Sequence, residues 1–162
     1  MSDNGVEGLL KAAKSRLDAR DPLSARGLLE QARMARPRDL NVLMILTLAC
    51  RMLGDHRAAL DAVEAALTVD PFSYVVHLSK GAVIEEMGQP HAATESYRVA
   101  LGLAPPMSKI PPSLQASLAQ AEEAVKHDAE RLRDFLIDSV AAEYARHSPE
   151  SLRRFDECLT LF

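Results

Sequence analysis

From Leu40 to Pro71 the chain sets two runs of apolar residues at helical intervals around a short polar break. Val42, Leu43, Ile45, Leu46 and Ala49 mark one face of an α-helix, and Ala59, Leu60, Val63, Ala66 and Leu67 mark another. Gly54-Asp55-His56 separates them. The glycine can close the first helix in the left-handed conformation, the aspartate can cap the second, and Asp70-Pro71 stops it. A hairpin this short cannot bury both of its apolar faces, so the pattern predicts further copies of itself.

The copies lie 34 residues away on either side. Pro37, Pro71 and Pro105 fall in register, as do Ala25, Ala59 and Ala93, and Ala32, Ala66 and Ala100. Leu29, Val63 and Tyr97 share a large-residue position. Ala13, Thr47 and Gly81 share a small one, where the first helix of a pair meets the second. On these residues the chain resembles the tetratricopeptide repeat (TPR) family, whose period is 34 residues. The resemblance places repeats at about 6–39, 40–73 and 74–107 and implies an all-α fold, a right-handed α-solenoid of three helix hairpins. The family's tryptophan-type position holds Leu9, Leu43 and His77, its leucine-type position Ala12, Leu46 and Lys80, and its tyrosine-type position Arg16, Cys50 and Ile84. Arg16 suits a terminal repeat whose outer face meets water. Lys80 is expected to lay its carbon stem on apolar surface with the ammonium in solvent.

Around the repeats, polar Ser2–Gly8 is expected to fray, with the first helix taking hold near Leu9. Asp21-Pro22 and Met87-Gly88-Gln89-Pro90 open the second helices of the first and third pairs. Residues 108–162 form a separate region. It begins in a connector stiffened by Pro105, Pro106, Pro111 and Pro112, after which Ser113 is the expected cap of one long helix reaching about His147. Leu114, Leu118, Ala121, Val125, Ala129, Leu132, Leu136, Val140 and Tyr144 recur along that helix, which at 1.5 Å per residue would run roughly 50 Å. Its first half is expected to cap the stack. Its second half, with Phe135, Leu136, Ile137, Val140 and Tyr144, needs another surface: the final segment 149–162, a second copy of the chain in a homodimer, or a further C-terminal domain. Leu152, Phe155, Leu159 and Phe162 predict a short last helix, and the unbroken apolar pattern at Phe162 leads to the expectation of more chain beyond it.

The long helix followed by Arg153-Arg154-Phe155-Asp156-Glu157-Cys158-Leu159 is also similar to the segment joining TPR regions to the catalytic domain in bacterial aspartyl/asparaginyl β-hydroxylase-type proteins. That second resemblance implies the noncatalytic N-terminal part of an enzyme using 2-oxoglutarate and iron(II). No catalytic residue is carried over by it.

Composition narrows the function. Of 162 residues 26% are charged, and the formal net charge of -4 offers no field that would gather nucleic acid; the cluster Arg33, Arg36, Arg38 is too small to alter this. The N-terminus lacks a secretory pattern, and the longest apolar run, Val42–Cys50, is too short to cross a bilayer, so a cytoplasmic location without membrane partners is expected. Cys50 and Cys158 are expected to be free, with Cys50 a small apolar filler between helices. His56, His77, His91, His127 and His147 form no His-x-Asp or His-x-Glu pair, and there is no phosphate-cradling glycine loop, nucleophile elbow or Cys-x-x-Cys. Glu85-Glu86 and Glu122-Glu123 diverge by about 100° on a helix and do not converge on one atom. No catalytic, metal or cofactor-binding residue is assigned, no cofactor is expected, and the chain is not expected to be an enzyme.

A surface remains. First helices of stacked TPRs line a concave groove, and the resemblance places there Leu10, Lys14 and Leu17, then Asn41, Met44, Ile45, Leu48 and Met52, then Val75, Leu78, Ala82 and Glu85. Of the positions that grip a terminal carboxylate in other TPR proteins, here Leu10, Lys14, Ile45, Val75 and Ser79, only Lys14 carries a suitable charge. The apolar groove with its methionines suits an amphipathic helix or peptide of a partner protein, or else the chain's own long helix.

Overall fold

The structure, a computed structural model, describes residues 3–147, with side chains over 5–143. Six helices form three pairs: α1 (Asp3–Asp18) with α2 (Pro22–Ala35), α3 (Leu40–Met52) with α4 (His56–Val69), and α5 (Tyr74–Glu86) with α6 (Pro90–Leu103). A single 3-10 turn, Met107–Lys109, precedes α7 (Pro112–His147), and no strand occurs among the described residues. Helices α2, α4 and α6 begin at residues 22, 56 and 90, so the 34-residue period of the sequence is the period of the fold.

The breaks form for local reasons. Asp21, Asp39 and Asp55 each accept hydrogen bonds from backbone N–H groups of the following first turn, Asp55 from Ala58 at 3.1 Å and Asp39 from Asn41 and Val42 at 3.0 and 3.2 Å. Pro22 and Pro90 open α2 and α6, where the missing N–H removes no intrahelical bond. Gly54 and Gly88 end the first helices with φ of 71° and 77°. The equivalent residue in the first pair is Arg20, held at φ 57°.

Two expectations are corrected. Helix α1 starts at Asp3 instead of near Leu9, because Val6 is buried against Ala32 and Val42 and ties the polar first turn to the core. Ser113 lies inside α7, which opens on Pro112; proline, with its φ already helical, is suited to a first helical position.

The contacts divide the chain into two units, Met1–Ala124 and Val125–Phe162. In the first, each of α1 to α6 packs on its chain neighbours, and α1 also touches α3 as α3 touches α5. The first helices therefore follow one another in a row. Leu29, Leu46, Ala49, Cys50, Ala59 and Val83 form one buried cluster, and Leu43, Val63, Ala66 and Val76 another. Small residues allow close helix approach. Ala13 and Thr47 are buried, and a side-chain carbon at Gly81 would strike the Tyr97 ring of the paired helix. Ile110, Leu118 and Ala121 are also buried, so the connector and the start of α7 contribute to this unit's core. In the second unit, Leu132, Phe135, Leu136 and Val140 of α7 are exposed, while Ile137 is half-buried. The expected last helix and Cys158 lie outside the described residues.

Candidate peptide-binding groove

All twelve residues assigned to the groove stand on the first helices of the pairs. The 34-residue spacing sorts most of them into rows that cross the helices: Leu10, Met44 and Leu78; Lys14, Leu48 and Ala82; Leu17, Arg51 and Glu85. Within the first row Leu78 is buried and Met44 half-buried against the Leu43–Val63 cluster. Leu48 and Met52 each keep 45% of their surface exposed. Two large apolar side chains left open on the middle helix are the surface's main unmet demand, since each would gain by removal from water. Asn41 and Lys14 are exposed, and Leu17, Ile45, Val75, Ala82 and Glu85 half-buried.

The surface deepens toward α7. A cavity of 370 Å³ is lined by Val75, Leu78, Ser79, Ala82, Glu85 and Glu86 of α5, Arg51 of α3, Tyr97 of α6, and Leu114, Ser117 and Gln120 of α7. Arg51 grips Glu86 with two nitrogens, Nε at 3.1 and 3.2 Å and a terminal nitrogen at 2.6 Å, joining the second pair to the third. This pairing holds the Glu86 carboxyl below its usual range. His56 Nδ1 lies 3.5 Å from the same carboxylate. The Tyr97 hydroxyl donates to Glu85 at 2.6 Å, and burial together with that glutamate pushes the phenol above its usual range. Lys80, expected to end in solvent, instead reaches Glu64 of α4 at 3.1 Å, its side chain 26% exposed.

Arg51 is absent from the residues expected in the groove, although the spacing that relates Leu17 to Glu85 sets Arg51 between them. Leu114, Ser117 and Gln120 carried no such signal, because the proline connector interrupts the period before α7. Cys50 is a buried free thiol as expected, and burial raises its pKa. Among the described residues no three His, Cys, Asp or Glu side chains come together in a way that could hold a metal ion, and no helix is long and apolar enough to cross a membrane.

No protein-family model matches the chain, and no curated protein matches it in sequence. Solved structures do match in shape. PcrH, known from Pseudomonas aeruginosa and here in complex with the chaperone binding region of PopD, superposes with a TM-score of 0.69 at 17% identity, over 81% of this chain and 96% of that one. The Yersinia enterocolitica type III secretion chaperone SycD, in complex with a peptide of the translocator YopD, gives 0.71 at 12% identity, over 80% and 96%. The fold is TPR-like. The expectation of an all-α stack of helix hairpins is met, while the likeness to hydroxylase-type proteins finds no support among these structures. The TPR-like arrangement also recurs in part of an O-GlcNAc transferase from Thermobaculum terrenum, with a TM-score of 0.59 over 21% of that chain, so the fold alone does not separate binding from catalysis.

Proposed function

We propose that this chain is a noncatalytic scaffold that holds an amphipathic segment of a partner protein across the row of first helices. The observation that carries this reading is the pair Leu48 and Met52, exposed on the middle helix after half-buried Met44 and Ile45 one turn earlier and open to a partner's apolar side chains. PcrH and SycD, of the same fold, are chaperones crystallised with segments of the proteins they serve, which supports a peptide-like ligand. Methionine's flexible side chain suits a surface that must follow a partner's contour.

The test is selection of peptides from a displayed random library on the immobilised chain. Selected peptides are expected to share two or three apolar positions and to lose binding at least tenfold to Leu48→Glu/Met52→Glu, since two carboxylates would be desolvated on docking. Both side chains are exposed, so helicity should be unchanged. Peptides that bind the double variant as well as the parent would refute the assignment.

A further inference from the structure

The cavity beside α5 is lined by two glutamates and one arginine. Arg51 is committed to Glu86 through its two-pronged contact. Glu85 is bonded instead to the neutral Tyr97 hydroxyl, and it has no ion pair among the described residues. The cavity thus joins apolar wall at Val75, Leu78, Ala82 and Leu114 with polar Ser79, Ser117 and Gln120 and with one carboxylate, Glu85, that no cation pairs among the described residues, and its Ala82 belongs to the row that holds exposed Leu48.

An apolar side chain inserted here would strip water from Glu85 and return nothing, and an acidic one would meet its charge. Lysine and arginine satisfy both parts of the site, because their carbon stems lie well on apolar surface while their ends bond carboxylates. We propose that the cavity receives a basic side chain of the segment bound across the first helices, its charged end on Glu85 and its stem on Val75, Leu78, Ala82 and Leu114. The inference rests on the scaffold reading above and adds to it a rule for the partner: apolar anchors accompanied, at one fixed offset, by lysine or arginine. Tyr97 acts as a positioning residue, fixing one carboxylate oxygen so that the other faces the incoming cation.

Glu85→Gln removes the charge and keeps an acceptor for the Tyr97 hydroxyl. Library selections on the parent chain should enrich lysine or arginine at one offset from the apolar anchors, and selections on Glu85→Gln should keep the anchors and lose that enrichment. In a selected peptide, replacing the basic residue by norleucine should weaken binding to the parent about five- to tenfold, and to Glu85→Gln by about twofold or less. Peptides with apolar anchors and no basic preference, or an equal norleucine effect on both chains, would overturn the proposal and leave the scaffold reading standing. Failure to select any peptide on the parent, or indifference to Leu48→Glu/Met52→Glu, would overturn the scaffold reading itself. Should Glu85→Gln melt early, the norleucine comparison on the parent at low and high salt decides: a loss of affinity that added salt leaves unchanged rejects the charge contact, because a partly exposed ion pair is screened.

Discussion

Replacing Gly81 by alanine puts two ordinary effects in opposition. On helix propensity alone the change should stabilise α5 by about 1 kcal/mol, because glycine is the poorest nonproline helix former. The packing predicts the reverse. A Cβ at Gly81 would lie 3.0 Å from Cζ of Tyr97 and closer still to Cε1 and Cδ1. Tyr97 is 3% exposed, and the open space it borders is the cavity beside α5, into which a displaced ring would have to move. Overpacking of this kind costs about 1–3 kcal/mol. A ring that shifts also weakens the 2.6 Å bond to Glu85, and a hydrogen bond to a charged group is worth about 1.5–3 kcal/mol. Set against the propensity gain, the two losses leave a net of about 1.5–5 kcal/mol, a fall in melting temperature of about 3–20 °C for a chain of this size. Circular dichroism melts and urea titrations measure it. Register supplies the control: Ala13 with Leu29, Thr47 with Val63 and Gly81 with Tyr97 pair a smaller residue with a larger one, so Gly81→Ala/Tyr97→Leu recreates the first pair's combination. The double variant should be more stable than the sum of the two single changes, as expected of groups in contact. A neutral or stabilising Gly81→Ala, or strict additivity, would show that the close approach of α5 and α6 is not what holds the third hairpin.

Three further outcomes follow from the same geometry. Arg20 occupies the left-handed position that glycine fills at 54 and 88, so Arg20→Gly should stabilise by about 0.5–1 kcal/mol through relief of that strain; a loss in urea titration would reject the equivalence of the three turns. Glu86 has a folded pKa below its unfolded one because Arg51 bonds its carboxylate, so its contribution is present above the ordinary carboxylate range and is lost as pH falls through the folded value; Arg51→Met should flatten the loss of stability between neutral and acid pH. Tyr97 has the opposite sign: its folded pKa lies above the unfolded one, so its contribution holds below the ordinary phenol range and declines as pH rises beyond it, and the Tyr97→Phe chain should lose less stability than the parent in strong alkali.

The hairpins were legible because their signals are local. Proline, aspartate and glycine sit at fixed offsets from apolar runs, and each acts through the backbone within one turn of itself, so Pro37, Pro71 and Pro105 carry the 34-residue spacing without reference to any contact between helices. The start of α1 was not legible in that way: Asp3 to Gly8 is polar by count, and one apolar residue, Val6, decides its order by reaching Ala32 and Val42 far along the chain. The candidate site divides likewise. Helical period and register place the twelve assigned residues on the first helices, and that placement the sequence carried. The charges that furnish it, Arg51 on Glu86 and Tyr97 on Glu85, join different helices, and no periodicity specifies which exposed side chains meet once two helices pack. In the sequence Glu85 and Glu86 are two adjacent glutamates that diverge on a helix. Packing gives one a cation and the other a neutral phenol, and that difference in partners, invisible in the pair of adjacent letters, is what gives the cavity a charge to offer a ligand.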